Sequence, residues 1–317
     1  MISLKRFYLS FLSLLVLGTS ISALAQGIRA PRPSQKASVM QTLGVTDVTI
    51  TYSRPGVKGR KIWGDPLPSQ AEVKGEATLD DSRVRPKDAV IVPWGHAWRT
   101  GANEATQFVV TDDVWINGQK LTAGSYSLHT VPNKDEWTII FNSVANQWGS
   151  FNYDATKDTL RVKVKPEWVG ESKEWLEYTI EPVNDTSARV NIRWEKVSVP
   201  FTVEVKDVMA LALTKARAAV AAAKPDDFQI RAQAASFALN NKLAAEEAMG
   251  WLDQSIKIRE TMGNVGLKAR TLAAQGKTAE AIVLGEKAIQ LGKDAKADPV
   301  NIASLEKLVA EWKAKKA

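Results

Sequence analysis

The segment Val197-Ser198-Val199-Pro200-Phe201-Thr202-Val203-Glu204-Val205-Lys206-Asp207-Val208-Met209-Ala210-Leu211-Ala212-Leu213 decides the fold, because two periodicities meet inside it. Through Val205 every second residue is apolar, the pattern of a strand with one buried face. Beyond Lys206 the β-branched residues thin out, alanine becomes dense, and Ala210 to Ala223 reads as a strong helix former. Lys224-Pro225-Asp226-Asp227 then stops that helix and starts another. A chain of 317 residues also exceeds what one core usually serves. The reading is two domains: an all-β sandwich or barrel over 37–206, then an all-α tetratricopeptide-like helical repeat domain over 207–317.

Working back from the junction, Val190, Ile192 and Trp194 alternate with polar residues. So do Leu176, Tyr178 and Ile180, then Leu160, Val162 and Val164, and far upstream Val48, Ile50 and Tyr52. Trp137 to Phe141 is a compact strand. Asn117-Gly118, between Val114-Trp115-Ile116 and Gln119-Lys120-Leu121, supplies the two positive-φ residues of a type I′ hairpin turn. Many short strands joined by turns argue for a sandwich or a barrel. Pro200 points to an edge strand, since it has no N–H to give a ladder. From Gly64 to about Val92 the pattern lapses into charged and Pro-containing sequence, a surface excursion. Gln26 to Lys36, holding Pro31 and Pro33, reads as a flexible lead-in.

Working forward, Glu247-Ala248-Met249 followed by Ser255-Ile256-Lys257-Ile258 matches Glu280-Ala281-Ile282 followed by Ala288-Ile289-Gln290-Leu291, at an offset of 33 residues. That period resembles tetratricopeptide-like helical hairpins, three of them stacked side by side. An ordinary bundle of Ala-rich helices is the alternative. Asp298-Pro299 marks another helix start, with Asp at the N-cap and Pro at N1.

At the N-terminus, Lys5 and Arg6 precede an apolar run from Phe7 to Leu17, and Ala23-Leu24-Ala25 is a small-x-small site. Residues 1–25 therefore read as a cleavable signal peptide. The expectation is an exported protein, periplasmic or extracellular, with no integral membrane segment after cleavage. The chain has 0 Cys, which excludes disulfides, thiolate metal sites and a thioether lipid anchor. Its formal charge is +7; without Lys5 and Arg6, 40 basic residues face 35 acidic ones, a net +5 spread thinly along the chain. Nucleic acid is not expected as a partner, because it needs a clustered basic patch.

The β part carries four distinctive strings. They are Tyr52-Ser53-Arg54-Pro55-Gly56-Val57-Lys58-Gly59-Arg60; Pro93-Trp94-Gly95-His96-Ala97-Trp98-Arg99-Thr100-Gly101-Ala102-Asn103-Glu104-Ala105-Thr106; Ala123-Gly124-Ser125-Tyr126-Ser127-Leu128; and Asn146-Gln147-Trp148-Gly149. With the unbroken run from Trp98 to Thr106, this part of the chain resembles the exported domain-of-unknown-function family 2911, from about Pro33 to Val205. The resemblance implies export and a β-rich domain, often with helical repeats behind it. It implies no established reaction.

Arg99, Asn103 and Glu104 gather a cation, an amide and a carboxylate around Gly101, whose conformational freedom is expected to let Arg99 and Glu104 converge. A guanidinium can hold a carboxylate or a sugar hydroxyl while Glu104 accepts a proton or hydrogen bond. Alternatively Arg99 pairs with Glu104 or with backbone carbonyls and clamps the loop. Of the 11 Trp, nine lie between Trp63 and Trp194, so any stacking surface belongs to the β part. Trp94, Trp98 and Trp148 sit beside glycine-containing turns, where a ring either stacks on a ligand or fills the core. The ligand-binding candidates are thus Trp94, His96, Trp98, Arg99, Asn103, Glu104 and Trp148. With only 2 His a three-histidine zinc site is impossible. A metal site from His96, His129 and Glu104 is the arithmetic alternative; no metal or other cofactor is expected. There is no G-x-S-x-G elbow, P-loop or dinucleotide fingerprint, while paired glycosidase carboxylates stay open.

The expected function is that of an exported, non-enzymatic binding or scaffold protein. Its β domain would recognise a small polar or glycan-like ligand, and its helical tail would dock a protein or peptide partner. The alternatives are an extracytoplasmic hydrolase using Glu104 and Arg99, and a purely structural envelope protein.

Overall fold

The structure, a computed structural model, describes residues 30–316 except 71, 74 and 80–85. The expected signal peptide and its cleavage site lie outside the described residues. The strands are β1 (Gln35–Leu43), β2 (Thr46–Arg54), β3 (Trp63–Gly64), β4 (Val92–Pro93), β5 (Thr106–Val110) and β6 (Val114–Ile116). They continue with β7 (Gln119–Leu121), β8 (Gly124–Val131), β9 (Trp137–Asn142), β10 (Asp158–Val164), β11 (Glu167–Asn184) and β12 (Ser187–Glu204). One sheet has six strands in the order β1-β2-β5-β8-β9-β10, and a second has four in the order β11-β12-β6-β7.

The alternation predicted from sequence is what joins them. Val48 and Ile50 are fully buried from the first sheet; Val190, Ile192, Val199 and Val203 are buried from the second, all in one shared core. Phe108 on β5 and Phe141 on β9 meet edge to face at 4.9 Å, and Phe201 on β12 closes the trio from the opposite sheet at 6.3 and 6.1 Å. Two sheets sharing one core make this a sandwich. The β6–β7 turn has φ of 47° at Asn117 and 81° at Gly118, as its dipeptide requires. Asn117 Oδ1 also accepts from the Thr202 N–H at 2.7 Å, tying the turn to β12.

Two local expectations change. Pro200 is not on an edge: β12 lies between β11 and β6. Its ladder with β11 runs over 187–198 and its pairs with β6 are Val203 and Glu204, so the missing N–H falls in the gap between partners. The lead-in is also not free along its whole length. β1 already starts at Gln35, and the Ser34 carbonyl accepts from Asn103 Nδ2 at 3.0 Å. The excursion after Gly64 is closed at its base by the parallel β3–β4 pair, and its described part folds back on the core, where Glu76 O accepts from the Ala97 N–H at 3.0 Å.

Six helices follow: α1 (Val208–Ala222), α2 (Phe228–Asn240), α3 (Ala245–Ile258), α4 (Met262–Ala274), α5 (Thr278–Asp294) and α6 (Pro299–Lys316). Asp227 caps α2 through the Gln229 and Ile230 N–H groups, and Asp298 Oδ1 accepts from Val300 N–H at 2.8 Å at the start of α6. The 33-residue offset carries α3 onto α5: Ala248 with Ala281, and Ser255 with Ala288, are all fully buried. The helices pack chiefly as the pairs α2–α3 and α4–α5, with α6 on α5. Their apolar side chains form one cluster around Leu252 and another around Leu305, and Ile256 packs against both.

Helix α1 is the bridge. Val208 and Leu211 pack on the sandwich core, Leu213 on the helical one, and Lys215 Nζ reaches Asp112 at 2.7 Å and the Val45 carbonyl at 2.9 Å. Among the described residues no helix is long and apolar enough to cross a membrane.

Candidate functional site

The Trp98–Thr106 run is a crossing point of backbone. Trp98 exchanges hydrogen bonds with Thr130 on β8, and Thr106 Oγ1 donates to the Thr100 carbonyl at 2.9 Å. From the second sheet, the Tyr178 hydroxyl donates to that same carbonyl at 2.9 Å. The left-handed residues of the loop are Thr100 (φ 51°) and Asn103 (φ 60°), not Gly101. Gly101 is needed for close approach instead: a Cβ there would lie 2.9 Å from Thr106 Oγ1 and 3.3 Å from the Ser53 carbonyl.

The expected meeting of Arg99 and Glu104 does not take place in the contacts described for them. Arg99 is buried; its Nη1 donates to the Asn103 carbonyl at 3.1 Å and its guanidinium lies 6.0 Å from the Phe151 ring. Glu104 turns outward and pairs with Arg32 at 2.6 Å. Burial pushes the Glu104 carboxyl up; the Arg32 hydrogen bond, a backbone N–H and the charges of Arg32 and Lys36 outweigh it and hold the group below the ordinary carboxylate range.

The remaining candidates divide between core and surface. Trp94 and Trp98 join a cluster around Trp63, with ring centroids 6.0 and 5.8 Å from it. His96 Nδ1 is 2.8 Å from the Ala77 carbonyl and helps fasten the excursion. Trp148, by contrast, is 52% exposed. It stands over a cleft of about 300 Å³ lined by Lys36, Thr51, Tyr52, Ser53, Glu104, Ala105, Gln107, Ala145, Asn146 and Gln147. The cleft opens just before β5 begins, where residues 104–105 pair with the 145–149 loop that follows β9. There Ala105 N–H donates to Gln147 O at 3.0 Å, and Gly149 N–H to Asn103 O at 2.9 Å.

Beneath the cleft lies a buried polar chain. Gln147 Nε2 donates to Ser127 Oγ at 3.1 Å, His129 Nε2 lies 3.1 Å from that hydroxyl, and His129 Nδ1 lies 3.0 Å from Ser150 Oγ. Burial, reinforced by the charge of Arg99, pushes the His129 pKa down to about 3. The imidazole is therefore neutral at pH 7, with one nitrogen donating and the other accepting. Gln147 Oε1 is enclosed without a hydrogen-bond partner, while its Nε2 also donates to the Val144 carbonyl at 3.1 Å. His96, His129 and Glu104 are not assembled, and among the described residues no group of three acidic or His side chains has the geometry to hold a metal ion.

Three of the four distinctive strings thus meet at one cleft: Tyr52-Ser53, Glu104-Ala105 and Asn146-Gln147-Trp148. The fourth reaches it from below through Ser127. Of the sequence candidates, Glu104 and Trp148 line it, and Asn103 and Arg99 hold its rim. Lys36, Thr51 and Gln107 were missed, since nothing in their local sequence marks them; only the β1-β2-β5 pairing brings them together.

Comparison with curated proteins and with solved structures gives no match. The family model described as protein of unknown function (DUF2911) matches residues 34–203, which spans the strands and stops short of the helices. That match takes in more than half of the chain, and the chain belongs to the DUF2911 family.

Proposed function

We propose that this is an exported binding protein whose β domain takes a small polar, glycan-like ligand in the Trp148 cleft, and whose helical tail docks a protein partner. The observation that carries the reading is the exposed Trp148 ring set beside Glu104 and the side-chain amides of Gln107, Asn146 and Gln147. An indole face stacks on the apolar face of a sugar ring. Amides and a carboxylate supply both donors and acceptors to its hydroxyls, and the aromatic-plus-polar balance is that of small-molecule sites generally.

Catalysis is the weaker use of the same side chains. A glycosidase needs two carboxyl groups, one kept protonated. Glu104 is the sole acid lining the cleft, and its lowered pKa makes it a poor acid and a poor base. The 33-residue period of the tail supports a stack of helical hairpins, which as a class leave a face suited to a peptide or protein.

The test is a thermal-shift screen of neutral oligosaccharides, repeated on Trp148→Ala. A ligand at 100 times its Kd stabilises by about 2.7 kcal/mol. A neutral saccharide that raises the melting temperature of the wild type and not of Trp148→Ala is expected. Equal shifts in both proteins would place binding elsewhere.

A further inference from the structure

We infer that Arg32 occupies the cleft's cation subsite in cis, and that the ligand is a saccharide bearing a free ammonium group that displaces it. This rests on the binding reading above and adds the charge of the ligand.

The segment before β1 is pinned by Asn103, whose Nδ2 donates to the Ser34 carbonyl. Two residues earlier, Arg32 Nη1 donates to Glu104 Oε1 at 2.6 Å, and Arg32 Cζ lies 5.8 Å from the centre of the Trp148 ring. A carboxylate beside an exposed indole is a pairing that recognises organic cations. Here the chain itself supplies the cation, to a carboxylate and an indole that both line the cleft.

The contact is built to be exchanged. Arg32 and Glu104 are 48% and 43% exposed. An exposed ion pair and an exposed cation–π contact together hold such a strap shut by only about 3- to 30-fold. On the far side of Arg32 lies a second cavity of about 510 Å³, lined by Ala30, Pro31, Arg32, Gln35, Lys36 and Glu104. Lys36 and Glu104 line both cavities, so moving Arg32 aside joins them into one cleft. An ammonium then replaces the guanidinium on Glu104 and Trp148, while Gln107 and Asn146 face the ligand's hydroxyls. Lys36 also acts on Glu104, so the emptied subsite is close to neutral and takes one cationic group, not several.

The experiment is calorimetric titration of an N-acetylglucosamine trimer bearing one free amine, and of its fully N-acetylated counterpart, into the chain from Gln26 onward. It is repeated on Arg32→Ala, Glu104→Gln and Trp148→Ala. Wild type should prefer the free amine. Arg32→Ala should tighten the amine trimer by about 3- to 30-fold, which is the strap's own equilibrium. Glu104→Gln should remove the preference for the amine. An amine affinity unchanged or weakened in Arg32→Ala, or a preference for the acetylated trimer, overturns the inference. If the acetylated trimer binds, is lost in Trp148→Ala and is indifferent to Arg32, this inference falls and the binding reading stands. Failure of both trimers to bind Arg32→Ala overturns both.

Discussion

Replacing Arg99 and Glu104 separately should give opposite results, although they lie five positions apart in one loop. Arg99 is buried, donates to the Asn103 carbonyl and lies against Phe151. A hydrogen bond from a charged group contributes about 1.5–3 kcal/mol and a cation–π contact about 0.5–2, and both act through the same guanidinium. Because such terms overlap, Arg99→Ala is expected to cost about 2–4 kcal/mol. Asn103 O keeps its bond from Gly149 N–H, which limits the loss. Glu104 lies in an ion pair whose members are 43% and 48% exposed, and exposed pairs contribute about 0–1 kcal/mol. Glu104→Gln should therefore unfold close to wild type. Urea unfolding at pH 7 measures both, and equal m-values make the midpoint shift a stability difference. Arg99→Ala should also raise the His129 pKa, since it removes a nearby positive charge and leaves the desolvation. The reasoning is refuted if Arg99→Ala stays within 1 kcal/mol (about the limit for an exposed pair) while Glu104→Gln loses more.

Three further outcomes are expected. The His129 pKa is about 3 in the folded chain against an ordinary 6.5, so the unfolded state binds the proton first as pH falls. Stability is full above pH 6.5 and declines toward pH 3, by up to about 1.4 kcal/mol per unit; His129→Gln should flatten the unfolding free energy between roughly pH 6.5 and 5, above the carboxylate range. A chain ending at residue 206 should be less stable than one ending at 223, because it exposes the surface under Val208 and Leu211 and leaves Asp112 without Lys215; equal denaturation midpoints would show that α1 does not support the sandwich. Gly285→Ala should destabilise α5–α6 by about 1–3 kcal/mol despite a helix-propensity gain of about 1, since its Cβ would fall 2.5 Å from Val309 Cγ2; helical circular dichroism melts test it, and Val309→Ala in the same chain should restore much of the loss.

The junction at Lys206 is legible in sequence because periodicity is a local property: side-chain alternation and alanine density need no partner strand to be seen. The same holds for Asn117-Gly118 and for Asp227 and Asp298 as caps, whose requirements are met within a few residues. Thr261 and Asn264 form a capping box that local reading could have found and did not, because Asn stands where Glu or Gln usually marks the motif. The cleft is only half legible. Glu104 and Trp148 stand out by residue type, yet their neighbours Lys36 and Gln107 are ordinary strand residues placed by register. Arg32 lies 72 positions from Glu104, in a stretch without period, and no local signal joins them. Gly101 illustrates the limit most clearly. A glycine suggests a positive φ, but here the constraint is the approach of Thr106 and Ser53, and the left-handed positions fall to Thr100 and Asn103.

The central claim, that the Trp148 cleft is where ligand binds, is tested most directly by titrating a saccharide hit into isotope-labelled protein and following side-chain N–H resonances. Saturable shifts should appear at the indole of Trp148 and the amides of Gln107, Asn146 and Gln147, with Trp115 and Trp251 unmoved. Shifts confined to Trp115, beside α1, or to Trp251, within the helices, would contradict the account.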